Sequence, residues 1–188
     1  MFKHSTLALL LGLVGLAHQA QAAEYKTVAI DKSKVTFSYK QMGVSVDGHF
    51  NKFVSQMSFD PAKPANAKAS IEIELASVDA GSSEADEEVM GKSWFNVKSF
   101  PKATFVSTQI KPAGTQQFEV TGKLSIKGQT RDIAFALKHT PQGVNGVFTG
   151  GFTLKRGDFT IGEGPWAKFD IVANDIQVNF QLTAQPGK

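Results

Sequence analysis

Apolar and polar side chains alternate along most of this chain, and only an extended backbone can place a period of two on two separate faces. Val35, Phe37 and Tyr39 alternate with Thr36, Ser38 and Lys40, and Ile71, Ile73 and Leu75 with Glu72 and Glu74. Phe118, Val120, Leu124 and Ile126 share one parity, with Glu119, Thr121, Lys123 and Ser125 on the other. Ile133, Phe135 and Leu137 repeat the pattern; so do Val144, Phe148, Phe152 and Leu154, and then Ile176, Val178, Phe180 and Leu182. Each segment has one face for a core and one for water, as antiparallel strands do. Lys102 to Ile110 reads as a further strand. Val44 to Asp60 reads as a long, bulged one, because Phe50, Phe53, Met57 and Phe59 are unevenly spaced. Asp60-Pro61, Lys111-Pro112-Ala113-Gly114, Lys127-Gly128 and Pro141-Gln142-Gly143 supply the turns. About eight strands at this spacing form an all-β sandwich or barrel.

One segment departs from the alternation. Ser82 to Gly91 reads as a short helix, with Ser83 as its cap, Asp86 three residues on and Gly91 as its stop. Its acidic run, Glu84, Asp86, Glu87 and Glu88, suits a helix N-terminus, where the dipole favours negative charge, and needs no metal to explain it. Trp94-Phe95 and Phe100-Pro101 follow.

The N-terminus reads differently again. Lys3 and His4 precede the apolar run Leu7 to Ala17, and Ala20-Gln21-Ala22 follows with small residues where a signal peptidase reads. That order is a secretory leader, and the run is well short of the roughly 20 apolar residues a membrane span needs. The expectation is cleavage after Ala22, leaving one domain, 23–188, outside the inner membrane in the periplasm. The chain has no cysteine, so neither disulfides nor thiolate metal sites contribute. A formal charge of +3, from scattered rather than clustered lysines, argues against a nucleic-acid partner.

Chemistry-bearing motifs are scarce. Beyond the leader the histidines are His49 and His139, far apart and without metal-ligand spacing. No nucleophile elbow or phosphate loop occurs. The expectation is a protein with no catalytic residues, no metal and no cofactor. The apolar inventory is unusual: 15 Phe against two Tyr and two Trp. Two readings account for it. One is a solid, Phe-packed core; the other is a barrel lumen lined for an apolar ligand, in which Gly146 and Gly150 remove side chains from the ligand's path.

Ordered motifs from Tyr25 to Ala184 resemble the YceI family of polyisoprenoid-binding, lipocalin-like proteins. They are Ser33-Lys34-Val35-Thr36-Phe37, Gly48-His49-Phe50-Asn51-Lys52-Phe53, Met57-Ser58-Phe59-Asp60-Pro61, Trp94-Phe95, Phe100-Pro101-Lys102-Ala103-Thr104-Phe105, Gly122-Lys123-Leu124-Ser125-Ile126-Lys127-Gly128 and Lys155-Arg156-Gly157-Asp158-Phe159. The resemblance implies an antiparallel eight-stranded barrel with a short helix near one mouth, and a tunnel holding a long-chain isoprenoid or other amphiphilic lipid. Parity then nominates Phe37, Tyr39, Phe50, Ile73, Phe105 and Phe118, with Phe135, Phe148 and Phe152, as tunnel residues; Trp94 and Phe95 would close one end. Many relatives carry Arg-Asp-x-His-Leu on the helix, whereas this chain has Ala85-Asp86-Glu87-Glu88-Val89. Asp86 is kept and the cationic side chains are not, so if those side chains hold a polar or phosphorylated headgroup in the relatives, the resemblance implies a neutral or differently charged one here, with Asp86 and, as a substitute cation, Lys168 as the headgroup candidates. Two further readings carry less weight: an accessory to a membrane redox or stress-response system, and a small outer-membrane barrel.

Overall fold

The structure, a computed structural model, describes residues 24–187. The expected leader, 1–22, lies outside them. Ten strands form: β1 (Tyr25–Gln41), β2 (Val44–Phe50), β3 (Phe53–Phe59), β4 (Lys68–Glu74), β5 (Val78–Asp79), β6 (Lys102–Gly114), β7 (Gln117–Ile126), β8 (Gln129–Gln142), β9 (Asn145–Lys155) and β10 (Asp175–Pro186). Eight of them close an antiparallel barrel in the order β1-β10-β9-β8-β7-β6-β4-β3, with β3 returning to β1. The barrel with one short helix is the architecture that alternation and resemblance anticipated. The tight turn at Lys127 and Gly128 takes φ of 49° and 75°, the double left-handed pair that matches strand twist in a two-residue hairpin.

Closure is uneven along the barrel. Near one end β1 meets β3 directly, with Tyr25 opposite Phe59 and Thr27 opposite Gln56. Further up, β1 pairs instead with β2, from Val35–Phe50 to Gln41–Val44, and β2 pairs with β5. The upper wall therefore contains extra strand that the lower wall lacks. This corrects the expectation of one long strand over Val44 to Asp60: the chain breaks at Asn51-Lys52, where the Asn51 N–H donates to the Ser77 carbonyl and the Lys52 N–H to Ser77 Oγ. A second correction concerns Pro112, expected in a strand-ending turn. β6 runs on to Gly114, and Pro112 sits opposite Phe118 beside a register irregularity, where a missing ladder N–H is tolerated.

The wall is polar outside and apolar inside. Exposed pairs such as Lys102–Glu72 at 2.7 Å and Lys123–Asp132 at 2.9 Å decorate its outer face. That is the reverse of the polarity a membrane-spanning barrel requires. The interior forms two apolar clusters. The lower is built from Tyr25, Phe59, Phe118 and Phe148; the upper centres on Leu75, Trp94, Leu124, Leu154 and Phe159.

Three segments cover the upper end: the helix α1 (Ser83–Met90), residues 91–101, and residues 156–174. Ser82, not the expected Ser83, caps α1, its hydroxyl accepting from the Ala85 N–H at 3.2 Å. Two adjacent serines offer the same chemistry, and the one in extended geometry takes the role.

Candidate functional site

The upper half of the barrel encloses a cavity of about 480 Å³. Small-molecule pockets typically hold about 300–1,000 Å³. Phe37 and Tyr39 from β1, Phe50 from β2, Ile73 from β4 and Phe152 from β9 form its walls, and Trp94 and Phe95 its covered end. These seven nominated residues are thus brought together. Strand parity points the five wall residues inward, and their height along the barrel puts them above the lower plug; Trp94 and Phe95 reach the cavity from the covering segment 91–101. Phe37 lies opposite Gly48, where an added Cβ would strike the Phe37 ring, so the glycine is what lets that ring lie flat on the wall.

The other four nominated residues lie elsewhere. Phe118 and Phe148 belong to the solid lower cluster, where the Phe59 ring stands edge-on to both at 5.0 Å. Phe105 and Phe135 lie between the halves with their rings 5.4 Å apart, and neither lines the cavity. Gly146 and Gly150 clear no path for a ligand. A Cβ on Gly146 would meet Tyr25 and His139, and one on Gly150 would meet the Phe180 ring. Both make room for the protein's own aromatic rings.

The headgroup candidates are also placed away from the cavity lining. Asp86 turns back to accept the Ala80 N–H at 2.6 Å, tying α1 to the chain after β5. Lys168 is exposed; its carbonyl accepts from Arg156. The polar groups that do border the cavity are different ones. Glu84 and Glu88 of α1 reach its entrance, with Gln41 and Ser82. The Glu84 carboxyl is held below its usual range by its own backbone N–H and by Ser82. The Tyr39 hydroxyl donates to the Ala80 carbonyl at 2.9 Å, and burial, then Asp86, pushes its pKa up. Trp166 Nε1 donates to Glu88 Oε1 at 2.7 Å. Trp94 is buried, and its Nε1 finds no acceptor among the described residues.

Arg156 is the functional residue that pattern reading missed. It is 1 % exposed, borders the cavity, and makes no ion pair among the described residues. Its guanidinium instead donates to six carbonyl oxygens: Ile161, Gly162, Trp166, Lys168, Val172 and Ala173, at 2.8 to 3.2 Å. Trp94 lies 5.2 Å and Phe169 4.8 Å from its carbon, at cation–π distance. One side chain thereby gathers the 161–173 stretch of the covering around itself. Burial lowers its pKa, as expected for a charge taken from water. Arg156 does lie within one of the motifs that carry the family resemblance, which was the signal available.

Beside the entrance the chain exposes apolar side chains. Met42 and Val44, at the tip of the β1–β2 hairpin, are 72 % and 66 % exposed, and Phe169 and Ile171 are 48 % and 41 % exposed. The two groups are joined by the Met42 N–H donating to the Ile171 carbonyl at 2.7 Å. Their neighbours Gln41 and Val172 line the cavity.

Comparison with known proteins agrees with the fold. A UPF0312 protein of Azotobacter vinelandii is 37 % identical over 174 residues, covering 86 % of this chain and 88 % of its own. One from Pseudomonas putida is 35 % identical over 190 residues, covering 95 % and 97 %. The crystal structure of Burkholderia cenocepacia BcnA superposes with a TM-score of 0.82 at 42 % identity, covering 85 % of this chain and all of that one. A polyisoprenoid binding domain from Saccharophagus degradans shares the fold at a TM-score of 0.67 and 15 % identity, covering 88 % of this chain and 99 % of its own. Residues 25–184 match the family described as the YceI-like domain, and the chain belongs to that family.

Proposed function

We propose that this protein is an exported, non-catalytic carrier that holds a long-chain isoprenoid or similar amphiphilic lipid in the upper half of its barrel. The observation that carries the reading is the cavity of about 480 Å³, enclosed by aromatic and aliphatic side chains. Each buried methylene contributes about 0.8 kcal/mol before ordering costs, so one five-carbon unit gives about 3–4 kcal/mol gross. The polyisoprenoid binding domain of Saccharophagus degradans, which shares the fold, supports this ligand class. The apolar lip of Met42, Val44, Phe169 and Ile171 suits exchange of such a ligand with a membrane surface.

The leader places the carrier in the periplasm, cut after Ala22, with neither nucleic acid nor a cofactor as partner. Mass spectrometry of protein released by osmotic shock tests both parts. The expected result is a mature N-terminus at Ala23 and a copurifying lipid. An intact N-terminus retained in the cytoplasm would overturn the location. Failure of any apolar probe to enter the cavity in solution would overturn the carrier reading.

A further inference from the structure

The cavity stops where the barrel turns solid. We infer that a layer of three rings at that level, centred on Phe135, blocks the ligand's apolar chain and so sets the chain length this protein selects. This rests on the carrier reading and names a specificity-determining residue for it. The layer takes one phenylalanine from every second strand: Phe105 from β6, Phe135 from β8 and Phe180 from β10. In the ring of eight strands β6 and β10 face each other across the lumen. Phe135 lies 5.4 Å from each of their rings, so the three together bridge wall to wall at aromatic contact distance. The strands between supply glycines that leave room for the outer rings. A Cβ on Gly122 of β7 would strike the Phe105 ring, and one on Gly150 of β9 the Phe180 ring.

What lies above and below the layer shows that it is the boundary. Above, Phe152 lines the cavity and stacks on Phe135 at 5.7 Å. Below, all three rings pack on the lower cluster, and none of them lines the cavity. Exposure falls across the same step: the three rings are partly buried, whereas Phe59 is 1 % and Phe148 0 % exposed. A chain that enters from the mouth therefore meets Phe135 with its tip. Going further would mean displacing rings from a close-packed interior, which has no spare volume to receive them. Each methylene gains burial until the tip reaches the layer. The excess of a longer chain stays at the mouth, beside Met42, Val44, Phe169 and Ile171.

A homologous series tests the stop: straight-chain primary alcohols from octanol to octadecanol, each measured by displacement of Nile red from the intact protein. Affinity is expected to rise about 3- to 4-fold per added methylene while the chain still has room, and then to level off. Phe135→Ala is expected to move that break to longer chains by about three methylenes, because the void a lost ring leaves collapses only in part. Phe135→Leu is the milder change, expected to move it the same way by about one, and it serves if the alanine variant does not fold. Phe148→Ala, in the floor beneath the layer, is expected to lower stability without moving the break, which separates length selection from general loosening. Affinity that climbs without a break through octadecanol in the wild type overturns the inference while leaving the carrier reading intact. So does a break that stays in place in both Phe135 variants, or one that moves as far in Phe148→Ala. If Nile red and every alcohol fail to bind the wild type, the carrier reading falls and the inference with it.

Discussion

The two halves of the barrel share most of their strands and the same residue types, yet one is solid and the other hollow. In the lower half Tyr25, Phe59, Phe118, His139 and Phe148 pack ring against ring, and Phe148 is fully buried. In the upper half Phe37, Tyr39, Phe50 and Phe152 are only partly buried and face an open volume. The difference lies in what bounds each half. Below, β1 pairs directly with β3 and the ring of strands is narrow. Above, β2 and β5 enter beside β1, the perimeter grows, and the same rings no longer meet across it. Aromatic content does not decide between core and cavity; local circumference does.

The upper half has to be roofed by something other than its own packing, and Arg156 supplies that. Truncation by Arg156→Ala strands six carbonyl oxygens and removes the cation between Trp94 and Phe169. The expected loss is about 5 kcal/mol in urea unfolding, from orphaned buried acceptors together with lost packing. Hydrogen exchange should show residues 156–174 and α1 opening while the amides around Phe59 and Phe148 stay protected. Uniform deprotection of both halves would break the division between them.

Matched truncations sharpen the comparison. Phe148→Ala in the solid half is expected to cost about 3–5 kcal/mol, because its ring neighbours leave no route to collapse into the void. Phe152→Ala, four residues along the same strand, already faces empty volume and is expected to cost about 1–2 kcal/mol. Ligand affinity should move the other way, falling about 10-fold for Phe152→Ala as apolar contact is lost, and hardly changing for Phe148→Ala in the fraction that stays folded. Equal stability losses at the two positions would mean the upper half is packed in solution.

How much of this could be read from the sequence follows from what alternation encodes. Parity says which side of a strand is inward, so Phe37, Phe50, Phe148 and Phe152 were all legible as interior. Height along the barrel is not encoded by parity, because it depends on register and on which strand β1 meets. That is why Phe118 and Phe148 were grouped with the cavity residues when they belong to the floor. The break at Asn51-Lys52 was hidden for a similar reason: the Ser77 groups that hold it are distant in sequence. Arg156 was out of reach of any charge-pairing rule, since its partners are backbone carbonyls. Asp86 and Lys168 are headgroup candidates only through the family's helix motif, which says nothing of where their side chains turn, and in the fold Asp86 ties α1 to the chain after β5 while Lys168 faces solvent.

The smallest expected effect concerns a polar group inside the solid half. His139 is 4 % exposed, stacks on Phe148 at 4.8 Å, and its Nε2 has no partner among the described residues. The groups packed against it are the rings of Tyr25, Phe59 and Phe148 and the backbone at Gly146; no carboxylate is among them. Burial therefore lowers its pKa from the ordinary 6.5, and the folded state holds the neutral ring. The unfolded chain then binds more protons than the folded one as pH falls below about 6.5, so stability is fully present above that value and is lost on acidification. Urea midpoints should fall between about pH 7 and pH 5 in the wild type and stay flatter in His139→Phe. His49, exposed on β2, is present in both proteins, so the difference between the two curves isolates the buried histidine. Because the floor lies below the cavity, the same acidification should leave Nile red binding to the folded protein unchanged. Loss of the probe in step with His139 protonation would show that floor and cavity respond as one unit and would dissolve the distinction between the halves.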